Sequence, residues 1–331
     1  MEGGDQPNFD PAAPANPAAG IFGIGRAPKD CAVHLIPVPF EATASYGTGT
    51  SFGPEAIVKA SGQLDLFDID NGRPYEVGIC MLPELSEIQQ LDRACAEDRS
   101  ADVVNAASAR VNELVRAQAE KSLDQGCFVG VVGGDHASPF GLIETLAARH
   151  PGMGILHIDA HHDLRQAYEG YTWSHASILY NVVTKIGGLG RVVQVGVRDF
   201  AESEKQFVED SERRIVCFYD QELRKAGFDG QTWTAVCELI VAQLPQEVYI
   251  SFDIDGLDPK LCPDTGTPVP GGLDFEEALH LLRLVVESGR KIVGFDLCEV
   301  APGTPESEWD ANVGARLLYK LIGFGLRSRQ R

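Results

Sequence analysis

Short, almost unbroken apolar runs, separated by stretches of helical composition, set the tightest limit on what this chain can fold into. The runs cover residues 32–38, 128–132, 155–159, 192–197, 248–253 and 292–297. A strand with one wet face alternates apolar and polar residues, whereas a run that is apolar at nearly every position must be covered on both faces. Helix-like segments lie between the runs, among them 101–123, 139–148, 232–244 and 275–287. This alternation predicts an α/β chain: a single three-layer α/β/α domain with a mainly parallel sheet. Ligands of such sheets bind at the carboxyl ends of the strands. The expected catalytic domain spans 31–331. Residues 1–30, rich in Pro and Ala and without period, read as an arm, either flexible or laid over a neighbouring subunit.

Composition removes several classes. A net charge of −20 argues against a nucleic-acid partner, because phosphate binding needs clustered Lys and Arg. No apolar run reaches the roughly 18–20 residues that span a bilayer, and the N-terminus lacks a basic-then-apolar leader, so no membrane partner and a cytoplasmic location are expected. The 8 cysteines are scattered without a C-x-x-C pair, which predicts buried thiols rather than a zinc ribbon or disulfide framework.

Three clusters of oxygen and nitrogen donors follow three of the runs. They are Gly133-Gly134-Asp135-His136, then Asp159-Ala160-His161-His162-Asp163, then Asp253-Ile254-Asp255-Gly256-Leu257-Asp258-Pro259. Residues i and i+2 of an extended chain point the same way, so Asp159, His161 and Asp163 converge if extended geometry persists, as do Asp253 and Asp255. With His136 the set holds two imidazoles and four carboxylates. One divalent ion cannot use them all without crowding anions, whereas two ions sharing carboxylates can. The donor set suits Mn²⁺ or a similar first-row ion; Mn²⁺ is the first choice and Ni²⁺ the alternative, which donor type alone does not separate.

These motifs resemble those of the ureohydrolase family of arginases, agmatinases and formimidoylglutamases. The similarity runs from about Cys31 to the C-terminus and includes the later stretch Gly266-Thr267-Pro268-Val269-Pro270-Gly271-Gly272. The resemblance implies that His136, Asp159, Asp163 and Asp253 hold one metal, while Asp159, His161, Asp253 and Asp255 hold the other. It also implies a binuclear hydrolase in which hydroxide shared by the metals attacks a guanidino carbon, with Asp163 orienting it. Four carboxylates and a hydroxide against two divalent ions leave the site slightly negative, which suits a small cationic guanidino substrate. Glu299, in Asp296-Leu297-Cys298-Glu299, matches the family carboxylate that grips the guanidinium, and His175, in Ser174-His175-Ala176-Ser177, matches the proton-shuttling histidine. A trimeric or hexameric homo-oligomer follows from the same resemblance, with the arm or a helix over 318–326 as contact.

The resemblance is nearest to agmatinase-like members. The stretch 164–173 departs from the Ser/Asn-rich loop with which arginases hold an α-carboxylate, so arginine is expected to be a poor substrate. A formimidoylglutamase-type or other small guanidine or amidine hydrolase is the alternative. His162, beside His161, keeps open a remote one, a single-zinc deacetylase; a non-catalytic subunit is another. Metal stoichiometry separates them. Arg198-Asp199 reads as a pocket pair or a structural ion pair. The glycine-bearing loop 46–54 reads as an anion site or a structural rim.

Overall fold

The structure is a computed structural model and describes residues 9–13, 16–303 and 307–330. Among the described residues, 8 parallel strands form one sheet: β1 (Val33–Val38), β2 (Ile79–Met81), β3 (Phe128–Gly133), β4 (Gly154–Ile158), β5 (Val192–Val195), β6 (Ile215–Phe218), β7 (Glu247–Asp253) and β8 (Lys291–Cys298). Their order across the sheet is β2-β1-β3-β8-β7-β4-β5-β6. Strands β3, β8, β7 and β4 are therefore consecutive neighbours at its centre. Their carboxyl ends lead into His136, Glu299, Asp253 and Asp159.

All six strands expected from the apolar runs are present. The two not anticipated, β2 and β6, are the sheet's edges. They are only three and four residues long, and three of the four residues of β6 are half-buried, so their apolar runs are too brief to stand out. Strand β5 stops at Val195 because Gly196 takes a φ of 97°, which breaks the ladder.

The helices are α1 (Gly53–Ser61), α2 (Ser86–Glu97), α3 (Ala101–Asp124), α4 (Phe140–Arg149), α5 (Ile178–Lys185), α6 (Glu202–Asp210), α7 (Asp220–Phe228), α8 (Trp233–Val241), α9 (Phe275–Glu287) and α10 (Trp309–Ser328). Helices α2 to α6 cover one face of the sheet through Val111, Val115, Leu142, Leu146 and their neighbours. Helices α1 and α7 to α10 cover the other, through Ile57, Ile240, Leu282 and Leu318. Side chains alternate between the two cores along each strand, as a doubly covered sheet requires.

Two expectations change. Residues 16–30 of the expected arm pack on their own chain: Ile21, Phe22 and Ile24 are buried, Phe22 lies 4.9 Å from the Tyr319 ring, and its N–H donates to Ser61 Oγ. Residues 1–8 and 14–15 lie outside the described residues. The stretch 318–326 is no free contact surface either, since Leu318, Leu321, Ile322 and Phe324 belong to the subunit's own core. The apolar periodicity of that stretch is answered inside the chain. No helix among the described residues is long and apolar enough to cross a membrane, and the eight cysteines are free thiols.

Candidate metal centre and substrate pocket

The three clusters meet at the carboxyl edge, but not by extended geometry. Strand β4 ends at Ile158, and the chain turns through residues 159–163 with Asp163 at a φ of 54°. Asp255 sits in a 3₁₀ turn, Ile254–Gly256, whose first N–H groups are capped by Asp253: Asp255 N donates to Asp253 Oδ1 at 2.8 Å. Convergence thus comes from two tight turns. It brings His136 Nδ1 to 3.0 Å from Asp159 Oδ2, 3.1 Å from Asp163 Oδ2 and 3.3 Å from Asp253 Oδ2. On the other side of Asp159, His161 Nδ1 lies 3.4 Å from Asp159 Oδ1 and 3.1 Å from Asp255 Oδ2.

Asp159 therefore belongs to two adjacent donor groups, one through each carboxylate oxygen. The residues fit divalent cations. Four carboxylates are buried together, and three of them are pulled apart in titration: burial raises Asp163 to about 6 and raises Asp253 well above the ordinary range. Asp159 is driven well below it, because the facing imidazoles overcome its burial penalty. Burial disfavours charge on His136, yet Asp159, Asp163 and Asp253 raise its pKa well above 6.5. A buried cluster that demands this much positive charge has the chemistry of a carboxylate–imidazole metal site.

The imidazoles are oriented from behind. His136 Nε2 lies 2.9 Å from Ser251 Oγ, whose hydroxyl donates to Asp296 Oδ1 at 3.2 Å. The serine proton is thereby used, so His136 carries its own proton on Nε2 and presents Nδ1 to the carboxylates. Thr43 does the same for His175. Its hydroxyl donates to Asp135 Oδ2 at 2.7 Å and accepts from His175 Nδ1 at 3.2 Å, which leaves Nε2 without a proton. Burial and the nearby His161 hold the His175 pKa at about 4, so the ring is neutral at neutral pH. Asp135, pushed up to about 7 by burial, is not among the converging donors and serves this relay.

Glu299 follows β8 with a φ of 63°, and its Oε1 accepts the His136 backbone N–H at 2.8 Å. Burial, then Asp135, raises its pKa well above the usual range, so it is primed to gain from a cation. Above this floor opens a cavity of about 450 Å³ lined by Tyr46, His161, Asp163, Arg165, His175 and Phe200, among others. Arg165 lies over the Tyr168 ring at 4.7 Å and 3.6 Å from Glu204.

Two rim features resolve alternatives left open by the sequence. The loop 46–54 is no anion site: Gly49 N and Ser51 N donate to Glu41 Oε2, so the chain supplies its own carboxylate. Arg198 forms no ion pair with Asp199. Its guanidinium grips four backbone carbonyls, of Gly196, Asp255, Leu257 and Val269, tying the Asp255 turn to the rim.

Comparison with known proteins then decides the family. The Arginase family profile matches residues 31–323. The chain belongs to the arginase family. An N(1)-aminopropylagmatine ureohydrolase of Thermus thermophilus is 32% identical, with 92% of this chain and 94% of that protein covered. The Synechocystis enzyme of the same name is 31% identical over 91% and 92%. The agmatine ureohydrolase structure from Thermoplasma volcanium superposes with a TM-score of 0.72 at 23% identity, covering 92% and 93%, and shares the fold. As an arginase-family ureohydrolase, the chain is a hydrolase of carbon–nitrogen bonds, similar to agmatinases and aminopropylagmatine ureohydrolases.

For an arginase-family chain, the sequence reading located His136, Asp159, His161, Asp163, Asp253 and Asp255, and the structure brings all six together; His175 and Glu299 adjoin them. It missed a layer beneath. Gln194, His157, Ser251 and Asp296 are register partners on β5, β4, β7 and β8, and form one polar row across the sheet. His157 stacks on His136 with ring centroids 5.3 Å apart. The signal was available: His157 and Ser251 each stand two residues before a donor at the strand's carboxyl end, Asp159 and Asp253.

Proposed function

We propose that this arginase-family hydrolase holds two divalent ions and splits the guanidino group of a small cation that carries an amine rather than an α-carboxylate. Agmatine and N(1)-aminopropylagmatine are the first candidates. The observation that carries the reading is the pair of adjacent donor groups sharing Asp159. His136, Asp159, Asp163 and Asp253 would hold one ion and Asp159, His161, Asp253 and Asp255 the other, with Mn²⁺ the first candidate and Ni²⁺ the alternative that donor type does not separate from it. When bound, two such ions supply a nucleophile from water at neutral pH and offset the charge that develops on the guanidino carbon's substituents.

The protein's residues do the rest. Glu299, held by the His136 N–H at one oxygen, has the other for the guanidinium N–H groups. It fixes the central carbon over the floor. His175 Nε2, unprotonated and on the cavity wall, can take a proton from the adding water and give it to the departing nitrogen. Water adds to carbon, the bond to the leaving nitrogen breaks, and urea and an amine result. Asp163 faces the same atoms and orients the water. At the rim, Asp199 is exposed and the cavity wall is aromatic, which suits a cationic tail.

The test is a substrate panel on Mn²⁺-loaded protein, scoring urea, ammonia and formamide. Urea from agmatine or its aminopropyl derivative, with little from arginine, is expected. Formamide from formimidoylglutamate would move the chain to the formimidoylglutamase type, and efficient arginine hydrolysis would overturn the argument from the 164–173 loop. We infer a trimeric or hexameric homo-oligomer as well, supported by family membership and by Phe67, Ile69 and Phe228, which are 69%, 90% and 87% exposed. A monomer by light scattering at micromolar concentration would overturn it.

A further inference from the structure

Four groups, His136, His157, Asp159 and Asp163, offer donor atoms close enough together to hold one ion, so by distance alone His157 is a candidate ligand. Its hydrogen bonds argue otherwise. A backbone carbonyl only accepts, so the Gln194 atom 2.9 Å from the His162 carbonyl is the amide nitrogen. The same nitrogen lies 3.0 Å from His157 Nδ1, which must then accept. A neutral imidazole that accepts at Nδ1 carries its proton on Nε2. That Nε2–H faces Asp159 Oδ2 at 3.0 Å, off the line of an ideal hydrogen bond. A nitrogen carrying a proton has no lone pair for a metal.

His162 completes the arrangement. Its Nδ1 donates to Gln194 Oε1 at 2.7 Å, and its ring is wedged edge-on against Phe200 and Tyr219. Flipping the Gln194 amide would set its oxygen against the His162 carbonyl and its nitrogen against the His162 N–H. The amide therefore has one orientation, and so does the His157 proton. All three side chains are buried, out of reach of water that could rescue a wrong tautomer.

We propose that Gln194 and His162 lock His157 as an N–H donor to Asp159, making His157 a positioning residue for the shared carboxylate and not a metal ligand. The inference rests on the binuclear reading above. It gives His162, which had no role in the family pattern, a function: it anchors the amide that, from the neighbouring strand β5, sets the His157 tautomer. Replacing residues that orient metal ligands costs about 10- to 100-fold in metal affinity or activity.

The test is Mn²⁺ binding by calorimetry with the metal alone, on the full chain freed of metal, with thermal unfolding recorded for each variant. His157→Gln keeps an N–H at the ring's Nε2 position, and is expected to bind two ions per chain within about threefold of wild-type affinity. His157→Leu is expected to lose 10- to 100-fold. Gln194→Leu should show a similar loss in the wild-type background but no added loss in the His157→Gln background, where no ring tautomer is left to set. Loss of one ion in His157→Gln would make His157 a ligand and overturn the proposal while the binuclear reading stands. An equal cost of Gln194→Leu in both backgrounds would reduce Gln194 to packing and overturn it too. Fewer than two ions in the wild type would overturn the binuclear reading itself, and this inference with it.

Discussion

The floor of the pocket and its rim are built on opposite terms. On the floor, His136, Asp159, Asp163, Asp253, Asp255 and Glu299 are buried, each carboxylate held by an N–H or an imidazole, each imidazole backed by a second polar group. At the rim, Tyr46 is 85% exposed, Asp199 is exposed, and Arg165 rests on an aromatic ring with a loose ion pair. The floor has one arrangement because its side chains hold one another through buried hydrogen bonds. The rim can change without disturbing that arrangement. Chemistry and selectivity are thus separable, which is the expected division between a rigid strand edge and the loops above it.

If the floor acts as one unit, the largest effect comes from its shared carboxylates. Asp253→Asn is expected to strip most bound metal and lower turnover by about a thousandfold or more, since metal ions supply several kcal/mol of charge stabilisation. Full turnover with one ion per chain, by metal analysis and kinetics together, would break the comparison at its base. Glu299→Gln should keep both ions and lose about 10- to 200-fold in kcat/KM, the worth of a charge-assisted hydrogen bond to a buried cation. Unchanged kinetics would move Glu299 out of the floor.

A third effect appears in the metal-free protein. Asp163, at about 6, and Asp135, at about 7, keep protons in the folded state that the unfolded chain loses near pH 4. Their contribution to stability is full below that pH and is lost as pH rises from about 4 to about 7. Tm of the metal-free protein should fall by about 2–4 °C over that window, and added Mn²⁺ should flatten the profile. A flat profile without metal would mean that the floor carboxylates relax when emptied. The smallest effect belongs to the rim. Asp199→Asn should cost about threefold in kcat/KM for guanidines with a cationic tail, vanish for free guanidine, and shrink with added salt. A larger loss, equal for both substrates, would erase the distinction between floor and rim.

The sequence disclosed the parts of the molecule where one residue answers to one constraint. Central strands, buried on both faces, must be apolar throughout, and their runs are plain. Edge strands β2 and β6 escape because an apolar run of three or four residues is too short to read as a strand. The six donors stand out because carboxylates and imidazoles at strand ends have few other uses in that combination. Gln194, His157, Ser251 and Asp296 were hidden for the opposite reason. Each is a single polar residue within or beside an apolar run, and only pairing across four strands shows that they form a row. The convergence of Asp159 with Asp163 was expected for the wrong reason, since the turn that achieves it needs a left-handed aspartate.

That left-handed conformation recurs at Glu299, and for non-glycine residues it costs about 1–3 kcal/mol. Natural drift favours substitutions that relieve such strain, and glycine at either place would do so while removing a carboxylate from the floor. Lineages that lose selection for hydrolysis should therefore accumulate change at positions 163 and 299 early, becoming sturdier proteins as they become poorer catalysts. Within this scaffold, the gradual retirement of an enzyme has a preferred first step.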